Sequence, residues 1–244
     1  MKHSLKVLSM SLALAWAAPA FSAPQTFYGF DQGLGESTRL TATPNADDAR
    51  NSFFAAMGDV TWSFTEDFEG SSYFTEGTAL ADFSAGNGYT RVHTLGDGQT
   101  NAGRYPTSGN KYLETGSPWI QLSFVNPTNS FGFYGIDFGD FLGLASITVN
   151  YTNGSSYTHD FSGTPGSAGG DVVYWGIIDN ENYFDSITFT NSNPAHFDSQ
   201  GNRRGDWFAF DDITFGEAKQ VDEPGAFALL ALGLTAFGFS RRRR

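Results

Sequence analysis

The chain contains no cysteine, which removes disulfides, zinc–thiolate centres and thiol nucleophiles in one stroke. Charge is sparse, at 16% of 244 residues, against about 25% in an average soluble domain. Positive charge is sparser still: 14 Lys and Arg face 26 Asp and Glu, a net charge of −12. Setting aside Lys2, Lys6 and Arg241 to Arg244 on the basic side, and Asp222 and Glu223 on the acidic side, takes the remainder to −16. Such a surface repels nucleic acid and anionic lipid, so neither is a partner of the folded part. There is no Gly-x-Ser-x-Gly elbow and no His-Glu-x-x-His pair, and the glycine-rich run 163–170 lacks the Lys-Ser/Thr of a phosphate cradle. His93, His159 and His196 are scattered, and read as polar strand or loop residues.

What is abundant points one way. Gly 29 and Phe 24 dominate, and aromatics reach 16%. Glycine punctuates turns and aromatic side chains suit a pleated, half-buried surface, so the composition predicts an all-β domain.

The two ends carry targeting patterns. Lys2, His3 and Lys6 precede an apolar run over 7–18, and Ala18, Ala20, Ser22 and Ala23 supply small residues for signal peptidase, so 1–23 reads as a signal peptide. At the other end Val221, Asp222, Glu223 and Pro224 precede an uncharged stretch, 225–240, and then Arg241, Arg242, Arg243 and Arg244. Sixteen residues make about 24 Å of helix, short of the ~30 Å hydrocarbon core. The arginines act as a stop-transfer signal that leaves the C-terminus cytoplasmic. This tail, 218–244, resembles the PEP-CTERM sorting signal of Gram-negative bacteria, with Asp222 standing where the family has its first proline. The resemblance implies a transmembrane sorting helix, transient inner-membrane insertion, removal of the tail by exosortase, and a final place at the cell surface or outside the cell.

Between the ends, 24–60 reads as a lead-in segment without clear period until Asn45. That residue is a candidate N-cap, and Asp47 and Asp48 suit a first helical turn. Ala49, Phe53, Phe54 and Met57 recur at helical spacing and Gly58 can end the helix, which predicts a short amphipathic helix over 46–57. From residue 61 to 217 the period is two. Strands are predicted at 61–68, 89–95, 119–125, 130–137, 145–151, 155–161, 172–178, 183–190 and 207–215, with turns at Asn126-Pro127 and Asn153-Gly154. Many short strands at even spacing predict a jelly-roll-like antiparallel β-sandwich.

Three patterns in this region are similar to those of PEP-CTERM surface proteins: Glu66-Asp67-Phe68-Glu69-Gly70, Phe131-Gly132-Phe133-Tyr134 leading to Asp137, and Phe208-Ala209-Phe210-Asp211-Asp212-Ile213. A first strand ending in Phe-Glu and a last strand carrying Asp-Asp-Ile also resemble jelly-roll carbohydrate-binding modules. That resemblance implies adjacent first and last strands and a structural calcium held by Glu69 and Asp212, with Asp211 or Asp67 in support. Calcium needs six to eight oxygens, so backbone carbonyls would complete the shell.

For a ligand, Trp119, Tyr134, Tyr174 and Trp175 are the candidate sugar-stacking aromatics, since aromatic faces match the apolar faces of pyranose rings. Tyr174 and Trp175 are neighbours on one strand, so only one of them is expected to point inward. Asp137 and Asp140 read as turn residues around Gly139, and Arg204-Gly205-Asp206 as a chance tripeptide. The expectation is an exported, sorted, non-enzymatic surface or matrix protein that engages extracellular polysaccharide. Two alternatives stay open, a secreted polysaccharide-degrading enzyme using paired carboxylates and a purely structural matrix component.

Overall fold

A computed structural model of the chain describes residues 23–219 apart from 76–77, 139–144, 162–168, 198 and 201–202. The expected signal peptide and the sorting motif with its helix and arginines lie outside the described residues, as does Asp140. Among the described residues no helix is long and apolar enough to cross a membrane.

The fold is an antiparallel two-sheet sandwich with one helix among the described residues. In chain order the elements are β1 (Gln25–Asp31), α1 (Pro44–Met57), β2 (Val60–Glu66), β3 (Ala81–Ala85), β4 (Thr90–Thr94), β5 (Lys111–Thr115), β6 (Trp119–Thr128) and β7 (Ser130–Ile136). There follow β8 (Ala145–Tyr151), β9 (Ser156–Asp160), β10 (Val172–Ile178), β11 (Phe184–Asn191), the short ribbon β12 (His196–Phe197) and β13 (Arg203–Arg204), and β14 (Phe208–Ala218). One sheet runs β1-β10-β7-β14-β5-β4, and the other runs β3-β6-β11-β8-β9. From β6 onward the chain crosses repeatedly between the sheets, as in a jelly roll. The Asn153-Gly154 hairpin forms as predicted, with Gly154 in the left-handed region at φ +85° and β8 paired to β9.

The long strand β14 is the spine of the larger sheet. Its first residues pair with β5 (Phe208↔Thr115) and its later ones with β2 (Ile213↔Glu66), both on the same side, while β7 lies on the other. The first and last strands of the predicted sandwich are therefore neighbours, as expected. The fork between β5 and β2 falls at Asp211–Asp212, where the register with β7 shifts and Asp212 takes φ +47°.

Where the strands differ from expectation, the cause is local. The lead-in segment contains β1, which pairs with β10 along its whole length, so 24–60 is part of the sandwich. Strands β3 and β5 were not expected, being five residues each in glycine-punctuated sequence. At Asn126-Pro127 the chain bulges instead of turning back: β6 is assigned from Trp119 to Thr128, but its register with β11 jumps from Ser123 to Thr128. The helix begins earlier than predicted: Thr43 is the N-cap and Pro44 occupies the first turn. Asn45 is not the cap, because Asp31 of β1 reaches over to accept from the Asn45 and Ala46 amides at 3.2 and 2.8 Å.

Helix α1 lies on the outer face of the larger sheet and buries Ala46, Ala49, Phe53 and Met57. Its close approach needs glycine below. A Cβ on Gly29 would sit 2.0 Å from the Asn45 carbonyl oxygen, and one on Gly176 would sit 2.8 Å from the Phe53 ring. This covering explains the burial patterns. Strand β8 alternates, one face to the core and one to water, whereas β7 and β10 are buried on every residue. Two apolar clusters result. One fills the space between the sheets and includes Phe133, Trp175 and Phe210; the other lies under α1 and includes Phe53, Tyr134 and Tyr174.

Candidate functional site

The four expected stacking aromatics do not share a surface. Trp175 is 0% exposed in the core between the sheets, and Tyr174 is 1% exposed under the helix. The two do point to opposite faces, but α1 covers the second face, so neither meets solvent. The ring of Tyr134 is also buried, at 5% exposed. Only Trp119, 38% exposed at the start of β6, presents its indole to water.

Trp119 sits at one pole of the sandwich with aromatics that sequence reading passed over. Tyr89, 40% exposed, packs against Trp207 with ring centroids 4.9 Å apart. The Arg91 guanidinium lies 4.6 Å from the Tyr89 ring centre. Backbone bonds lock these segments together: Gly86 N–H to the Trp119 carbonyl at 2.9 Å, Gly116 N–H to the Tyr89 carbonyl at 2.8 Å, and Ala195 N–H to the Gly116 carbonyl at 2.9 Å. Beside the rings, the Thr90 hydroxyl is 2.8 Å from those of both Thr115 and Ser117. Tyr89 and Trp207 were expected as the first residues of strands 89–95 and 207–215; each instead immediately precedes its strand, β4 or β14, and only the fold brings them to Trp119.

The strand registers fix where this pole lies. Gln25 pairs with Ile178, Ile178 with Ser130, and Ser130 with Gly216, so β1 begins and β14 ends at the same end of the sheet. Phe208, Thr115 and Thr90 pair at the other end, next to the aromatics. Ten steps along β14 separate the two ends by roughly 33 Å.

The carboxylates expected to hold calcium bind protein hydrogens. Asp211 Oδ2 accepts from the Thr107 N–H, the Thr107 hydroxyl and the Ser108 N–H at 2.7, 2.9 and 3.0 Å. Asp212 Oδ1 accepts from the Ser108 hydroxyl at 2.8 Å. Glu69 Oε1 accepts from the Asn110 and Lys111 amides, both at 2.6 Å. Together these acids pin the segment that leads into β5 against the fork in β14. Among the described residues no group of three or more acidic, histidine or cysteine side chains is gathered for a metal ion. Burial, then the charge of Asp212, pushes the Asp211 carboxyl up to about 8, against the pull of the Ser108 and Thr107 donors. Burial likewise raises Asp212.

Other buried acids are engaged as well. Glu66 accepts from the Phe68 and Phe74 amides. Glu114 and Asp137 converge on Arg104, with Nε–Oε1 and Nη1–Oδ2 distances of 3.1 Å each. Asp137, expected as a turn residue, takes φ +67° and also accepts from the Gly170 N–H at 2.9 Å. Arg104 and Glu114 carry no sequence signal: one lies in an Ala-Gly-Arg coil, the other on an unexpected strand. His93 and His159 are both lowered by burial, His159 beside the rings of Phe161 and Trp175.

A cleft opens on the outer face of the larger sheet, beside the start of α1. This cleft of about 240 Å³ is lined by residues 39–43, Asp47, residues 105–107 and Tyr134. Tyr134 reaches it with its hydroxyl, which donates to Asp47 Oδ1 at 2.6 Å, and Thr43 donates to the same oxygen at 3.1 Å. Tyr105 is held at both sides of its oxygen: it accepts from the Leu40 N–H at 3.2 Å and donates to the Gly170 carbonyl at 2.9 Å. Burial pushes its phenol up to about 12, so it stays protonated and able to donate. Arg39 lies over the Tyr105 ring, 5.3 Å from its centre.

No protein-family model matches the chain, and no curated protein matches it. Among solved structures it is similar to the K2 cleaved adhesin domain of Lys-gingipain (15% identity, TM-score 0.39, 63% of this chain and 99% of that one). It is also similar to the family 11 carbohydrate-binding module of the cellulosomal cellulase Lic26A-Cel5E of Clostridium thermocellum (12%, TM-score 0.34, 68% of this chain and 100% of that one). A third is the CBM22-1 xylan-binding domain of Paenibacillus barcinonensis Xyn10C (13%, TM-score 0.36, 67% and 97%).

Proposed function

We propose that the chain is an exported, surface-sorted, non-enzymatic β-sandwich that binds extracellular polysaccharide through its aromatic pole. The observation that carries this reading is the gathering of Trp119, Tyr89 and Trp207 at the pole opposite both Gln25 and Ala218. Exposed aromatic rings stack on the C–H faces of sugars, and the buried hydroxyls of Thr115 and Ser117 hold the half-buried Thr90 in place beside them. The acidic surface leaves neutral glycans as the favoured class. Export and sorting rest on the basic-apolar N-terminus and on Val221, Asp222, Glu223, Pro224 and the terminal arginines. A tail that follows β14 would hold the opposite pole toward the membrane and the aromatic pole toward the medium.

The test is a glycan array probed with the purified chain and with Trp119→Ala, each run with calcium and again with chelator. We expect the unaltered chain to bind one neutral glycan class. The variant, with an unchanged melting temperature, should lose at least about tenfold in affinity, or about 1.4 kcal/mol. No binding in either condition would leave a matrix component without a sugar ligand. Binding that Trp119→Ala leaves intact would move the site elsewhere. Deleting 221–244 and following the protein between envelope and medium tests the sorting half, since an unchanged distribution would remove the tail's role.

A further inference from the structure

We propose that the outer-face cleft beside α1 is a separate binding site for a single acidic sugar unit, a pyranose that carries a carboxylate. Three observations converge. The cleft, at about 240 Å³, lies below the roughly 300 Å³ at which sites for drug-sized ligands begin, which limits its occupant to about one ring. Its lining is polar and held in place before any ligand arrives: Tyr105 is fixed by Leu40 and Gly170, and Asp47 is fixed by Tyr134 and Thr43. Finally, Arg39 holds its guanidinium over the Tyr105 ring, with no ion pair to it among the described residues.

Arg50, over the Phe54 ring at 4.7 Å, shares this arrangement but does not line the cleft. Arg104 and Arg91, by contrast, are both paired with Glu114. A guanidinium presents parallel N–H donors that match a carboxylate, and stacking on an aromatic ring fixes the plane from which they point. Asp47 supplies the complementary chemistry. Its Oδ1 is taken by Tyr134 and Thr43, and the carboxylate lines the cleft, where it can accept from sugar hydroxyls. Thr41 and Thr107 add hydroxyls to the same wall. A carboxylate at one end and hydroxyls at the other is the pattern of a uronic acid.

The surface charge narrows the ligand further. A long run of uronic acids would be repelled by the acidic surface, whereas one terminal unit brings a single charge that salt screens over about 8 Å at physiological ionic strength. The site is independent of the aromatic pole: Trp119 is not among its lining residues, and the failure of either reading leaves the other standing.

Titrating the full chain with D-galacturonic acid, D-glucuronic acid, D-galactose and D-glucose, by calorimetry and by amide chemical shifts, tests the proposal. We expect an acid to bind more tightly than its neutral counterpart and to shift the amides of Leu40, Thr41 and Thr107. Arg39→Gln should weaken the acid by about tenfold or more and leave the neutral sugar unchanged. Equal binding of acid and neutral sugar, or an acid affinity insensitive to Arg39→Gln, would overturn the proposal. Shifts confined to Tyr89, Trp119 and Trp207 would assign the binding to the pole instead. Should Arg39→Gln not fold, the chemical-shift map of the unaltered chain decides the matter alone.

Discussion

Arg104 stands between two carboxylates in a space that water does not reach, since Arg104, Glu114 and Asp137 are all buried. Its guanidinium also donates to the carbonyls of Ala102 and Trp207 at 2.9 and 3.3 Å. It thereby ties the 101–104 coil, β5, the end of β7 and the aromatic pole to one side chain. A buried charge that loses its partner costs far more than the pair contributes as a whole. Arg104→Met removes the cation that Asp137 and Glu114 share, leaving Glu114 only the half-exposed Arg91, and denaturant unfolding should show a loss of about 3–5 kcal/mol. A loss below 1 kcal/mol would mean that water reaches the site. Asp211 makes a different prediction. Its carboxyl is raised from the ordinary 3.8 to about 8 in the folded chain, so the fold holds a proton that the unfolded chain releases. Its stabilising contribution is complete below the unfolded value and disappears as pH climbs through the folded one. Between about pH 7 and 8, where both lowered histidines are already neutral, stability should fall by up to about 1.4 kcal/mol per pH unit. Asp211→Asn should flatten that slope. An unchanged slope in the variant would assign the proton to another group.

At the scale of elements, the helix on the sheet is the feature that periodicity only half conveys. Phe53 and Met57 fall at helical spacing, so the helix itself is legible. Its resting place is not, because Gly29 and Gly176 read as ordinary strand punctuation until the helix is laid on them. Gly29→Ala puts a methyl carbon against the Asn45 backbone and forces α1 away from β1. Thermal and denaturant unfolding should show a loss of about 1–3 kcal/mol, with larger amide shifts in α1 than in the distant β8–β9 hairpin. Equal shifts throughout would argue against a local cause. The strands follow the same logic. Those with alternating or long apolar sequence, β8 and β10, match their predicted bounds, whereas β3 and β5 are five-residue pieces whose pairing comes from neighbours distant in sequence. Pairing partners also decide that β6 resumes at Thr128 after the bulge at Asn126-Pro127.

For the molecule as a whole, the all-β sandwich was legible because composition, turn chemistry and period agreed. Which aromatics meet solvent was not, and Tyr174 and Trp175 show why. Strand alternation gives two faces but says nothing of what covers them, and here a helix from 44–57 covers the second. The acids near the fork were legible as a cluster, but their partners, the amides of 107–111, carry no side-chain signature at all.

If the chain is exported as proposed above, the place of β14 in the larger sheet bears on the order of events. Strands β7, β5 and β2 all pair with it, so the sheet lacks its spine until residues 208–218 are available. With so many contacts between residues remote in sequence, closure waits for the last part of the domain. A polypeptide threaded N-terminus first through a narrow channel would therefore have little finished structure to jam it, and would snap shut only when its final strand emerged on the far side.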